Sequence, residues 1–100
     1  MSSNVHHVLG DVHFEWDRGK AAANLAKHGV AFELACQVFF DPFLRVVDAA
    51  VPGESRDAIL GYTESQSLLF VVYVVRHEEN IRIISARRAT PAERRLYEEC

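Results

Sequence analysis

Arginine is the residue type whose placement along this chain points most clearly to chemistry. Six of the nine arginines lie between Arg76 and Arg95, where three glutamates accompany them and the net charge is +3. The whole chain has a net charge of −3, so the cationic charge is local. A guanidinium is permanently charged, and its planar fork of donors suits carboxylate or phosphate. The pattern predicts an anion-binding surface, with the solvated face of a strand or helix as the alternative for any single arginine.

Metal-free RNA cleavage is a reaction that such a surface would suit. The ribose 2′-OH attacks the adjacent phosphorus, cations stabilise the charge that develops on the phosphate, and a base and an acid move the protons. Arginine stays protonated at neutral pH and cannot be the base. His28 is the best candidate, because imidazole titrates near neutral pH and this residue ends a predicted helix. The alternative role for His28 is to cap the last helical turn, where a cation is favourable.

Other classes of site find less support in the sequence. It contains no Gly-rich phosphate loop, no Cys-x-x-Cys pair, no His-Glu-x-x-His and no Gly-x-Ser-x-Gly. Histidines and cysteines do not occur at metal-ligand spacings, so we predict no zinc site and no cofactor. A pI near 5.9 argues against a non-specific polyanion binder. A metal-dependent hydrolase built from the scattered carboxylates stays an alternative.

The cysteines and the apolar runs bear on the cellular compartment. Cys36 and Cys100 are too few for the disulfide framework of a small secreted domain, and a reducing cytoplasm fits both. The longest apolar run, Leu68 to Val75, has eight residues, far fewer than a membrane span needs. The N-terminus lacks a basic region followed by an apolar stretch. We therefore predict a cytoplasmic protein that has no membrane partner.

The N-terminal half of the chain predicts two short helices after a strand. We expect residues 1–11 to be a flexible leader and residues 12–100 to form a single domain, which starts with a strand at residues 12–16. Asp17 is a good N-cap for a helix that runs through Lys27 and ends at Gly29. A second helix shows one apolar face at the spacing i, i+3, i+4, i+7 and stops at Asp41-Pro42. That apolar face consists of Phe32, Ala35, Cys36 and Phe39.

The C-terminal half predicts a four-stranded antiparallel meander and a last helix. The runs "FLRVVDAAV", "RDAILGYT", "SLLFVVYVV" and "IRIISARRA" are rich in β-formers and are separated by polar connections of hairpin length. In the fourth run, regular alternation places Arg82, Ile84, Ala86 and Arg88 on one face and Ile81, Ile83, Ser85 and Arg87 on the other. Thr90, Pro91 and Glu93 form a capping box for a helix anchored by Leu96. The predicted fold class is α+β, with two N-terminal helices and a C-terminal helix on a four-stranded antiparallel sheet.

Three stretches of the chain resemble one known family. They are "FEWDRGKAAANLAKHGV" at 14–30, "ESR" with "ILGYT" around Arg56, and "RIISARRATPAERRLYE" at 82–98. They look like the BrnT family of toxins, the toxin half of a type II toxin–antitoxin pair, and the similarity extends from about residue 13 to residue 99. The resemblance implies a RelE-like ribonuclease fold, RNA cleavage without metal that inhibits translation, and neutralisation by a BrnA-type antitoxin that also binds promoter DNA.

The residues and the resemblance together define the predicted site. The predicted catalytic residues are His28, Arg56, Arg76, Arg87 and Arg88, and the predicted substrate-binding residues are Lys27 and Tyr97. RNA is the predicted substrate, and promoter DNA is expected to be reached only through the antitoxin complex. A second interpretation of the same arginines is a docking surface for acidic side chains of the antitoxin. The alternative function is therefore a non-catalytic module that binds an antitoxin and modulates transcription.

Overall fold

The computed structural model describes residues 3–47, 56–76 and 79–99. Within these ranges the strands are β1 (Asn4–Leu9), β2 (Val12–Asp17), β3 (Arg45–Val47), β4 (Asp57–Tyr62), β5 (Leu68–Val75) and β6 (Ile81–Arg88). The helices are α1 (Arg18–His28), α2 (Phe32–Gln37) and α3 (Pro91–Glu98), and a short 3-10 turn, Val38–Phe40, follows α2. The strands form one mixed sheet in the order β1-β2-β6-β5-β4-β3. The predicted end of the first run of the meander, "FLRVVDAAV", and Cys100 lie outside the described residues.

The prediction of a four-stranded antiparallel sheet is wrong, because an N-terminal hairpin adds two strands. β1 pairs antiparallel with β2 along its full length, so residues 4–9 do not belong to a flexible leader. β2 then pairs parallel with β6 through Phe14 with Ile81 and Glu15 with Arg82. A half-buried strand is recognised by apolar residues at alternate positions. In β1 one of the inward positions is taken by His7, whose ring lies 5.6 Å from that of Trp16, so this apolar alternation is interrupted. The class α+β and the three helices are as predicted.

The caps of α1 and the apolar face of α2 match the predictions, but α2 ends at Gln37 and a 3-10 turn through Phe40 fills the stretch before Asp41. The Asp17 carboxylate accepts a hydrogen bond from the Lys20 amide at 2.9 Å. Gly29 adopts the left-handed conformation with φ of 70° and donates to the Leu25 carbonyl, which ends α1. In α2, the face that begins with Phe32 is buried in the core, and the Phe32 ring meets Trp16 edge to face. Local signals therefore set both helices.

The predicted meander of β3 to β6 is present, but β6 contains a β-bulge. Val72 pairs with Ser85 whereas Tyr73 pairs with Ile83, so β6 has an extra residue at Ile84. As a result Ile83 and Ala86 both face the core, although regular alternation had placed them on opposite faces. The bulge also changes which face of β6 each arginine occupies. Arg82 and Arg87 point away from α1 and α2, and Arg88 lies on the core side with Ala86.

α3 begins at the predicted capping box but has a different mode of packing. Thr90 Oγ1 accepts from the Glu93 amide, and the Glu93 carboxylate accepts from the Thr90 amide. Leu96, the expected apolar anchor, is 46% exposed, and no residue of α3 is buried. Polar contacts therefore hold this helix on the sheet. None of the helices in the described ranges has the length and apolar character needed to span a bilayer.

Candidate functional site

The side of α1 that faces β6 is polar. Lys20, Asn24, Lys27 and His28 follow the spacing i, i+4, i+7, i+8, which places them on one helical face. Asn24 is 7% exposed, while Leu25 on the outer side is 51% exposed. A surface helix of a globular protein normally turns its apolar stripe inward. In α1 the buried polar residue is Asn24, and Lys20 and Lys27 on the same side of the helix are exposed.

This polar face borders a shallow groove of about 240 Å³ between α1 and β6. Its lining consists of Lys20, Ala23, Asn24, Lys27, His28, Ile84 and Ser85. Two lysines, a histidine and a serine are therefore among the residues that line it, and no carboxylate is among these lining residues. The chain forms the groove because β2 ends at Asp17 and continues directly into α1, which lies beside the edge of β6 that β2 has left. The groove can attract and hold an anion such as a phosphate.

Four of the seven predicted site residues gather around the C-terminal half of β6. Lys27 and His28 line the groove. Arg87 follows Ser85 by two residues on the same face of β6, since their partners on β5 are Phe70 and Val72. Arg88 pairs with Leu69 on the core side of the strand and is exposed. The structure thus brings a lysine, a histidine and two arginines to one region of the molecule.

The Arg87 guanidinium is occupied by a carboxylate of α3. Its Nη1 and Nη2 donate to Glu93 Oε1 and Oε2 at 2.7 and 2.8 Å, and its Cζ lies 4.4 Å from the centroid of the Phe70 ring. The hydrogen bonds from Arg87 lower the pKa of Glu93, and those to Glu93 raise the pKa of Arg87. A phosphate can bind the same two nitrogens of the Arg87 guanidinium only when the Glu93 carboxylate moves away from them.

Arg56 and Arg76 lie away from the groove. Arg76 follows β5, and its amide donates to the Asn80 carbonyl at 2.7 Å. Asn80 precedes Ser85 by five residues, about 16 Å of extended chain, and β5 lies on the side of β6 opposite to α1. Arg56 precedes β4, which is two strands, or about 10 Å, from β6. The structure therefore does not bring these two arginines to His28.

Tyr97 belongs to a network that attaches α3 to the rest of the molecule. Its hydroxyl donates to Asp41 Oδ2 at 2.6 Å, and the Tyr62 amide donates to the same oxygen at 2.8 Å. Burial disfavours the ionised Asp41, but the hydrogen bonds from Tyr97, Tyr62 and Phe43 outweigh it and lower the pKa of this carboxyl. The Tyr62 hydroxyl in turn accepts from Arg94 at 3.0 Å. Tyr97 is thus placed as an anchor of α3.

A second concavity, of about 490 Å³, lies at the other side of this network. Its walls are mostly apolar, and Asp41 and Glu64 contribute carboxylates that would repel a phosphate. It is lined by Leu9, Gly10, Gln37, Phe40, Asp41, Pro42, Tyr62, Thr63 and Glu64. Although it is the larger of the two, its chemistry suits an anion less well than the groove beside α1. Within the part of the chain that the structure describes, no three His, Cys, Asp or Glu side chains are placed to share a metal ion.

The prediction of the site missed Lys20, Asn24 and Ser85. The first two carry a readable signal, because they complete the helical spacing of Lys27 and His28 with polar residues. Ser85 carried no such signal, since its position beside α1 depends on where β2 leaves the sheet. The helical spacing would have identified the side of α1 that lines the groove, but it would not have identified β6 as the strand on the other side of the groove.

The comparisons with known proteins place the chain in a family. A family model described as "Ribonuclease toxin, BrnT, of type II toxin-antitoxin system" matches residues 16–93, which include α1 and β6. None of the curated proteins matches the chain. The crystal structure of the Brucella abortus ribonuclease toxin BrnT, at 1.1 Å resolution, is 24% identical, has a TM-score of 0.56, and aligns with 75% of this chain and 92% of that chain. This likeness shows a shared fold, and the match to the family confirms the resemblance predicted from the sequence motifs. The chain belongs to the BrnT family of ribonuclease toxins of type II toxin–antitoxin systems.

Proposed function

We propose that this chain cleaves RNA without a metal ion and that the scissile phosphate binds in the groove between α1 and β6. The observation that carries the proposal is the cationic lining of this groove, where Lys20, Lys27 and His28 lie along one side of α1 while no carboxylate lines the groove. Positively charged side chains gathered along the groove would be stabilised by binding an anion such as a phosphate.

In this mechanism each groove residue has a separate task. His28 accepts the proton of the ribose 2′-OH as its oxygen attacks the neighbouring phosphorus. The ammonium groups of Lys20 and Lys27 stabilise the charge that develops on the phosphate, and Lys27 protonates the departing 5′-oxygen. Ser85 and Ile84 form the wall of the groove that faces these groups. The products are a 2′,3′-cyclic phosphate and a free 5′-hydroxyl, so the reaction needs no water or metal-bound hydroxide in this step.

The arginines have supporting roles in the proposal. Arg88 is exposed at the end of β6 and extends the cationic surface toward the RNA backbone. Arg87 holds α3 in the free protein through Glu93. Arg56 and Arg76 lie too far from His28 to act on the same phosphate, and we assign them to contacts with flanking nucleotides. These contacts would raise affinity without taking part in bond cleavage.

A protein partner follows from membership of a type II toxin–antitoxin family. We propose an antitoxin of the BrnA type whose acidic side chains bind the exposed arginines of β6 and α3, chiefly Arg88, Arg94 and Arg95. Such an antitoxin would cover the approach to the groove, and promoter DNA would be reached only through it. Cleavage of RNA in the cytoplasm would then inhibit translation when the antitoxin is absent.

The test is RNA cleavage by purified, antitoxin-free protein in the presence of EDTA. We expect cleavage that yields 2′,3′-cyclic phosphate ends and that stops when a 2′-O-methyl group replaces the attacking hydroxyl. Lys27→Ala should lower the rate by about 100-fold or more, because it removes a charge-stabilising group and the acid. Arg18→Ala, which removes an exposed cation from the start of the same helix, is the matched control and should change the rate little. Loss of all cleavage in EDTA, with recovery on adding a divalent metal, would contradict the proposal.

A further inference from the structure

We propose that Asn24 is the positioning residue of the groove between α1 and β6, a role that rests on the function proposed above. Its side-chain amide makes three hydrogen bonds within a buried site. Nδ2 donates to the Ala86 carbonyl at 2.8 Å and to the Val30 carbonyl at 3.0 Å, and Oδ1 accepts from the Ala86 amide at 3.1 Å. These bonds join α1, the chain that follows α1, and β6.

The contact with Ala86 replaces a missing strand. Among the residues that the structure describes, β2 pairs with β6 only through Phe14 and Glu15, and no other strand pairs with this edge of β6 beyond Arg82. An amide side chain offers the same donor and acceptor as a peptide group, so Asn24 pairs with both backbone groups of Ala86 as a neighbouring strand would. The backbone amide and carbonyl of Ala86 at this edge of the sheet therefore have hydrogen-bond partners in a side chain of α1, the helix that carries Lys27 and His28.

The three bonds fix the helix in two respects. The pair with Ala86 sets the rotation of α1 about its axis, because only one face of the helix can present Asn24 to β6. The bond to Val30, six residues later, holds the segment that follows the Gly29 cap. Lys27 and His28 lie between these two anchors in the chain. Their positions relative to Ser85 therefore depend on Asn24, although the Asn24 side chain is engaged with the backbone and has no donor left for the substrate.

The chemistry of the site explains why an asparagine meets these requirements. A leucine of similar size would leave three buried backbone groups without partners. An aspartate would place its oxygens against the carbonyls of Ala86 and Val30, and its charge would oppose a phosphate in the groove. Asparagine alone among residues of this size and shape supplies both donors and the acceptor without a net charge.

The test compares Asn24→Ala with wild type by steady-state cleavage of RNA in EDTA, well below the unfolding temperature. We expect kcat to fall by about 10- to 100-fold, because small displacements of reacting groups have effects of that size. KM should change by less than about threefold, since the lysines still attract the phosphate. Gln37→Ala is the matched control, because it removes a hydrogen bond that the Glu64 backbone amide donates to the Gln37 side chain, away from the groove. It should lower stability without changing kcat.

Hydrogen exchange at the Ala86 amide provides a readout other than activity. The exchange should become at least about tenfold faster in Asn24→Ala, and the NMR signals of the His28 ring should shift. A folded Asn24→Ala protein whose kcat stays within about threefold of wild type while Ala86 exchanges faster would overturn the proposal. If Asn24→Ala folds poorly, Asn24→Ser, which keeps one short polar group, is measured under the same criteria. If the wild-type chain cleaves no RNA, the proposed function fails. The positioning role is tested independently of activity, because unchanged NMR signals of the His28 ring in Asn24→Ala would overturn it.

Discussion

The ion pair between Arg87 and Glu93 makes a quantitative prediction about how α3 is attached. Glu93→Gln keeps an oxygen that can accept from the Thr90 amide, so the capping geometry survives while the charge is lost. A hydrogen bond to a charged group contributes about 1.5–3 kcal/mol when well shielded. The two side chains are 35% and 17% exposed, so solvent screening reduces this by roughly half. We expect the free energy of unfolding to fall by about 0.8–1.5 kcal/mol.

Urea unfolding followed by circular dichroism measures this change. For a domain of this size the dependence on urea is about 1–1.5 kcal/mol per molar, so the midpoint should fall by about 1 M. Glu98→Gln, at an exposed position on the same helix, is the matched control and should move the midpoint little. Equal shifts for the two variants would refute the assignment of stability to the ion pair.

The pH dependence gives the same prediction a second test. Arg87 lowers the pKa of Glu93 in the folded protein below its value in the unfolded chain. The stabilisation is therefore complete above the unfolded pKa, near 4.3, and is lost as the pH falls through the lower folded value. The difference between wild type and Glu93→Gln should shrink as the pH is lowered from 7 to about 3. A difference that stays constant over this range would contradict the argument.

Three further predictions concern the core and the attachment of α3. Phe32→Ala should lower the free energy of unfolding by about 3–5 kcal/mol in urea titrations, because the ring is fully buried against Trp16; a loss below about 1 kcal/mol would contradict that packing. Tyr97→Phe should lower the free energy of unfolding by about 1–2 kcal/mol at pH 7, because it removes the hydrogen bond to Asp41. The loss should be smaller in acid, as the pH approaches the lowered pKa of Asp41, and an equal loss at both pH values in thermal melts would contradict this. Cys36 should not react with a thiol reagent in the native protein and should react in urea, because burial raises the pKa of its thiol to about 12, and rapid native labelling would contradict this.

Local signals in the sequence were sufficient for the caps of α1 and α3, the helices and five of the six strands. The Asp17 cap, the left-handed Gly29 and the capping box at Thr90 each depend on residues within a few positions of one another. The strand β1 was missed for an equally local reason. His7 occupies an inward position on the strand, so the apolar alternation that marks a half-buried strand is interrupted.

Long-range features were not predictable from the same signals. The bulge at Ile84 depends on the register between β5 and β6, and it reversed the faces assigned to residues 84–88. The parallel pairing of β2 with β6 joins residues more than sixty positions apart, and no turn in the sequence marks it. The candidate site depends on this pairing, since α1 reaches β6 only where β2 ends. The sequence patterns therefore grouped Lys27 and His28, which line the groove, with Arg56 and Arg76, which the sheet separates from them.

The measurement that tests the account most directly is the rate of RNA cleavage in EDTA by His28→Ala and Arg76→Ala beside wild type, with folding confirmed for each. If the groove between α1 and β6 performs the reaction, His28→Ala should lose about 100-fold or more in rate, and Arg76→Ala should stay within about fivefold. Full activity in a folded His28→Ala protein, or abolition of cleavage by Arg76→Ala alone, would contradict the assignment of the active site to this groove.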